Sequence, residues 1–364
     1  ENLSYSFGGN ILTQQWQQAG KTRKYEFNYD NLSRLTSATY TGDGNYSANY
    51  IYDKQGNVTS LSRWGNTGTS TYGLIDNLTL DYHGNQLIKV GDTGIVPTLS
   101  SSADFRKNSS APIEYTYDAN GNMKSDLNKG IGNIEYNLLN LPSSLSIGNS
   151  LGSATNTYVY TANGSKLRVN KGTSVTDYVG NVIYEDGILK RILVDGGYYE
   201  NGIYYFYICD HLGNNRVVAN QTGGVVQSTQ YYPFGMAFAD GTSPDVQPYK
   251  YGGKELDSDR GLNLYDYSAR WKGDWSFLTM DPLAEKYYSI SPYAYCANNP
   301  MRYVDPTGMW ISPYYDRSGR FLGTDEEGFS GQIYITTQEA FNANSSNGIA
   351  DSKKIQANKN TRQL

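Results

Sequence analysis

Ile113-Glu114-Tyr115-Thr116-Tyr117-Asp118-Ala119-Asn120-Gly121-Asn122-Met123 reads as a strand, a turn and the start of a second strand. Ile113, Tyr115 and Tyr117 alternate onto one face, the period of a β-strand. Asp118 opens the turn through its side-chain oxygen, and Gly121-Asn122 supplies the left-handed residue that closes a hairpin. One hairpin buries too little to stand alone, so successive hairpins must pair edge to edge.

The phrase recurs. It stands as Tyr29-Asp30-Asn31-Leu32-Ser33-Arg34-Leu35 and as Tyr52-Asp53-Lys54-Gln55-Gly56-Asn57-Val58, with degenerate copies beginning at Tyr82, Tyr136 and Tyr160. Residues 91–112 interrupt the rhythm and read as an excursion loop. Composition agrees, with 35 Tyr and 39 Gly against 10 Phe, 5 Met and 2 His. Tyrosine suits a half-buried strand face, and glycine supplies tight turns. The expected fold is all-β: a long antiparallel sheet that coils on itself and so manages its edges.

Several function classes are argued against. A net charge of −5 and a pI near 5.2 speak against a nucleic-acid or anionic-membrane surface. The longest apolar runs, such as Tyr204 to Cys209, are strand-length, far below the roughly 20 residues of a membrane helix. The sequence opens on Glu1 with no signal peptide after it, which points to a processed or excised chain. Cys209 and Cys296 form no CxxC pair and read as buried small residues, with a single disulfide as the alternative. Neither metal-ligand spacing nor a cofactor phrase is present, so no cofactor or metal is expected. His83 sits in a degenerate repeat turn and His211 in the phrase Asp210-His211-Leu212-Gly213, and both read as structural.

The repeats, over roughly residues 25–220, resemble those of the YD-repeat family. From Tyr204 the resemblance sharpens. Asp210-His211-Leu212-Gly213 with Arg216 and Val218 is similar to the phrase that opens the Rhs-associated core. Tyr231-Tyr232-Pro233-Phe234-Gly235, Gly261-Leu262-Asn263-Leu264-Tyr265-Asp266-Tyr267-Ser268-Ala269-Arg270, Ser291-Pro292-Tyr293-Ala294-Tyr295-Cys296-Ala297-Asn298-Asn299-Pro300 and Asp305-Pro306-Thr307-Gly308-Met309 follow in the family's order. The relatives implied are Rhs proteins of Bacteroidetes type and, more distantly, the C component of Tc toxins and the teneurins. The resemblance implies a partial or complete hollow shell of YD hairpins (1–203), a core segment that plugs it (204–309) and a variable C-terminal segment (310–364).

The same resemblance implies self-cleavage. Two carboxylates sharing a proton leave one as an acid while the other activates water. The matching residues are Asp281, in Met280-Asp281-Pro282, and Asp305, and the bond implied to break is Met309–Trp310. The alternative is that both Asp-Pro phrases are only turns. Family members usually carry an Arg before the first Asp-Pro, where this chain has Ser276, and the following phrase is Leu283-Ala284. Arg270 and Arg302 stand nearby in sequence. A missing cation would make the anionic intermediate several kcal/mol more costly.

After Met309 the sequence echoes one more hairpin near Tyr314 to Gly323 and a strand over 332–337. Residues 342–364 are rich in Asn, Ser, Lys and Gln and leave little for a core. This tail reads as the start of an effector domain or as a linker. Three functions are implied: a secreted or surface polymorphic-toxin shell enclosing a C-terminal effector, an adhesion module binding glycans or a protein, and a protease acting only on its own chain. The partners implied are that effector or further shell repeats, a secretion-system or partner shell protein, and glycans. A shell of about ten hairpins is small for the family, so further repeats or a partner chain are expected to complete it.

Overall fold

The computed structural model describes residues 1–98, 103–239, 247–309, 314–315, 321–325, 334–346 and 349–363. Two antiparallel sheets form the wall. The first has eight strands, from Asn2–Tyr5 to Gln86–Asp92, and the second has fourteen, from Tyr115–Tyr117 to Ala237–Ala239. In both, every strand pairs only with its neighbours in sequence. That order follows from the repeat, since each hairpin's turn fixes the register of the next strand.

The turn works the same way each time. The Asp53 carboxylate accepts from the Asn57 N–H and from Asn57 Nδ2, both at 2.8 Å. Asp118 with Asn122, and Asp210 with Asn214, repeat this pair of bonds. Gly56, Gly121 and Gly213 take φ values of +88°, +77° and +79°, the left-handed region the turn demands. The tyrosine of the phrase has its own partner. Tyr29, Tyr52 and Tyr136 donate their hydroxyls to the carbonyls of Ile11, Leu35 and Met123 at 2.6–2.7 Å. Each hydroxyl therefore ties one repeat to the preceding one, which phenylalanine has no group to do.

Each sheet is open, yet side chains bring the end of the wall back to its start. Trp16 Nε1 donates to Gln230 Oε1 at 2.9 Å, Gln18 Nε2 to Ser228 Oγ at 2.7 Å, and Phe238 stacks on Tyr46 with ring centroids 4.0 Å apart. Glu114 N–H to Ile88 O, 2.8 Å, links the two sheets. Residues 247–309 fill the interior, with a three-stranded sheet (Glu255–Asp257, Leu264–Asp266, Trp271–Lys272) and irregular turns. Wall and plug share one hydrophobic core in which Tyr25, Leu35, Leu61 and Leu145 meet Tyr267, Trp271, Phe277 and Tyr295.

The plug reads the wall's turns directly. Asn298 Nδ2 donates to Gly56 O, Asn299 Nδ2 to Ser33 O and the Tyr293 hydroxyl to Gly121 O, all at 2.7–2.8 Å. The turn carbonyls are thus satisfied by side chains some 170 to 270 residues away, so the plug and the turns order one another. A cavity of about 300 Å³ remains between the strands around Lys166 and Tyr178 and the plug at Glu255 and Trp271.

The structure revises several expectations. Ile113 lies outside the short strand Tyr115–Tyr117 and is exposed, because the chain is still arriving from the excursion there. That excursion is anchored: Phe105 is buried against Trp275, and its N–H donates to Asp76 at 2.7 Å. Both cysteines are free, with Cys296 buried but Cys209 exposed at the end of its strand, which corrects the reading of both as buried. In the C-terminal segment, Tyr314–Tyr315 pairs with Phe321–Asp325 as the echoed hairpin predicts. The predicted strand over 332–337 is described only as Tyr334–Ile335. Of the described residues in 342–364, only Ala350 and Ile355 add apolar side chains to a small second core. Short helices Gln338–Ala343 and Ser352–Gln356, capped by Thr337 and Asp351, bury Phe341 and Ile355 beside Tyr314 and Tyr334.

Candidate self-cleavage site

Arg270 ends the Tyr265–Arg270 phrase, just before the strand Trp271–Lys272 carries the chain through the middle of the plug. Its side chain is 1% exposed and every face of it is used. Nη2 lies 2.8 Å from Asp281 Oδ2 and 3.2 Å from Asp305 Oδ2. Nη1 donates to Pro292 O at 3.1 Å, and Nε donates to the Gly308 carbonyl. The guanidinium lies over the Phe277 ring, 3.7 Å from its centroid. A planar fork with several donors suits this convergence, where a lysine would offer one point charge.

The two carboxylates are held by different local means. Asp281 takes the Leu283 N–H on Oδ1 at 2.8 Å, while its own N–H donates to Pro292 O at 2.9 Å. Asp305 Oδ1 collects three N–H groups, those of Thr307, Gly308 and Met309, at 3.3, 2.7 and 3.1 Å. That three-donor turn depends on Gly308, whose φ is +78°. A Cβ at this position would lie 2.9 Å from Tyr267 O and 3.0 Å from Arg270 N. Only glycine lets the chain pass so close behind the arginine.

Burial raises the pKa of the Asp281 carboxyl, Arg270 pulls it back, and the neighbouring Asp305 charge pushes it up again. A carboxyl whose pKa is pushed up beside a second carboxylate is one element of the arrangement that acid–base hydrolysis uses. The peptide between Gly308 and Met309 is gripped at both ends, its carbonyl by Arg270 and its N–H by Asp305. The bond implied to break, Met309–Trp310, runs into Trp310, which lies outside the described residues.

The structure thus brings Asp281, Asp305 and the Met309 backbone together around one cation. Sequence reading placed the absent cation at Ser276, which instead bridges to Ala294 within the plug backbone. Arg302 points away, donating to Gly8 O at 2.8 Å. Of the two arginines that stand nearby in sequence, it is Arg270 that the fold brings to both carboxylates. A second acidic group was not foreseen at all: carboxylate oxygens of Asp76, Asp92 and Asp104 lie within 4.8 Å of one another. Arg63 binds Asp76 at 2.7 Å, and burial, followed by the charges of Asp76 and Asp92, lifts Asp104 to about 6. Protonation of Asp104 relieves that crowding.

No protein-family model matches the chain. Over 304 residues, 78% of the chain, it is 26% identical to the tRNA3(Ser)-specific nuclease WapA of Bacillus spizizenii, and 27% identical to the tRNA nuclease WapA of Bacillus subtilis. A shorter stretch of 117 residues is 38% identical to salivary gland surface protein 1 of Aedes aegypti. The chain spans 12% of the length of the WapA proteins and 3% of the mosquito protein. Among solved structures, the TcdB2–TccC3 crystal structure superposes with a TM-score of 0.53 at 16% identity, covering 85% of this chain and 20% of that one. The Photorhabdus luminescens Tc holotoxin pore gives the same TM-score. The architecture of this chain is therefore that of the β-shell in the Tc toxin proteins TcdB2 and TccC3.

Proposed function

We propose that this chain is the plugged end of an Rhs-type toxin shell, secreted or displayed at the cell surface, that encloses a C-terminal effector and frees it by cutting after Met309. The observation that carries this reading is the buried Arg270 joining Asp281, Asp305 and the Gly308 carbonyl beneath the Asp-Pro-Thr-Gly turn. In the cleavage step a water attacks the Met309 carbonyl. One carboxylate takes the water's proton, the protonated partner supports the developing oxyanion, and the leaving amine of residue 310 takes up a proton. Arg270 keeps two carboxylates close without mutual repulsion and anchors the strand leading to the bond.

The cavity of about 300 Å³ beside Lys166 has the scale of a small-molecule pocket, not of a folded domain. We assign the room for the effector to further shell repeats or a partner chain, a reading supported by a chain that spans 12–20% of its longer relatives. The nuclease activity named for the WapA proteins is not assigned to this stretch.

Intact mass under denaturing conditions tests the proposal, with Asp305→Asn and Asp281→Asn beside the unaltered chain. Two fragments divided after Met309 in the unaltered protein, and one uncut mass in either variant, are the expected result. A single uncut mass throughout would leave a structural shell or a binding module in which both Asp-Pro phrases serve as turns.

A further inference from the structure

His211 joins three parts of the molecule that are far apart in sequence. It lies in the turn between the strands Ile203–Cys209 and Asn215–Asn220. Its Nδ1 is 3.0 Å from Glu1 Oε1, next to the first strand of the wall, and its Nε2 is 3.3 Å from the Met301 carbonyl in the plug. The His211 backbone N–H also donates to Glu1 Oε2 at 3.0 Å, and Gln14 Nε2 donates to Glu1 Oε1.

Both ring neighbours are acceptors only. A neutral imidazole has one N–H and one lone pair, so it serves one neighbour and turns a lone pair toward the other. The imidazolium donates to both. We propose that His211 is a proton-operated clasp that, when charged, pins the first strand and the plug to the late wall, and that lets the seam loosen when neutral.

The surrounding charges favour the closed form. Glu1 faces the ring from just before the first strand. Asp210 adds negative charge from the same turn and is itself engaged by Arg216 at 2.8 Å. Gln14, on the second strand, is neutral, and Arg302, beside Met301, directs a nitrogen to Gly8 O. Burial opposes a charge on His211, but the Glu1 hydrogen bond and the Asp210 and Glu1 charges outweigh it, so its pKa is raised. Burial likewise opposes the Glu1 charge, and His211 and Gln14 hold that carboxyl down at about 2. A histidine whose pKa rises on folding contributes stability below its unfolded value and loses it as pH climbs through the folded one. The clasp is closed in mild acid and opens above the raised His211 pKa.

The chain has only two histidines, so NMR titration of a His83→Gln variant reads His211 alone. The expected pKa lies above the ordinary value of about 6.5. Hydrogen exchange of the strands Asn2–Tyr5 and Ile11–Gln18 should accelerate over the same pH range. Glu1→Gln removes the charge while keeping one side-chain oxygen to accept from the turn, and should lower the His211 pKa by about one unit and shift the exchange transition with it. His211→Gln should abolish that transition. If His211→Gln fails to fold, the Glu1→Gln shift decides alone. A His211 titrating at or below the ordinary value, or exchange that ignores its titration, overturns the proposal.

Discussion

Two aspartate turns, one in the wall and one in the plug, begin with the same chemistry and end differently. Asp53 spends both carboxylate oxygens on Asn57, four residues on, and its turn is electrostatically complete. Asp305 gathers three N–H groups onto one oxygen and leaves the other to meet Arg270, 35 residues back in the chain. A carboxylate consumed inside its own turn is a structural device. One with an oxygen to spare, buried against a second acid and an arginine, has the makings of a reactive centre.

The sharpest way to break the comparison is Arg270→Ala. It strips the shared cation from two buried acids and should cost about 3–5 kcal/mol, read as a lower urea midpoint, with cleavage after Met309 lost. A variant as stable as the parent would make the plug turn no different from the wall turn. Gly308→Ala comes next. It forces a side chain into the left-handed region and against Tyr267 O, and should cost about 1–3 kcal/mol with the three-donor turn disrupted. The smallest effect belongs to the wall. Asn57→Ala removes side-chain bonds to Asp53 and Asn85 and should cost about 1 kcal/mol with cleavage unchanged. A loss of cleavage in that variant would show that wall turns act on the site through the plug.

The wall was largely legible because its signals are local. Asp, Gly and Asn at fixed offsets choose a turn, the turn sets the register, and pairing of neighbours follows. The failures in the wall have local causes too. Ile113 alternates correctly but belongs to a segment still descending from the excursion, and Cys209 lies on an exposed strand end despite its apolar run. In the tail, Phe341 and Ile355 fall on the buried sides of short capped helices beside Tyr314 and Tyr334, and among the described residues 342–364 itself adds only Ala350 and Ile355 to that core.

The site was half legible. Asp281 and Asp305 could be named because Asp-Pro phrases are conspicuous, whereas the cation was sought at the nearest matching position, Ser276. Sequence order carries the information for hairpins, turns and strand faces, since each depends on residues within a few positions of one another. It says nothing of which side chains meet after two dozen residues of irregular plug have folded back. The pairing of Arg270 with both acids, the Asn298 and Asn299 grip on the wall turns and the Glu1–His211–Met301 bridge were decided by the tertiary structure. Their physical reason is the same: a buried charge or amide takes whatever partner packing brings within reach, however distant in sequence.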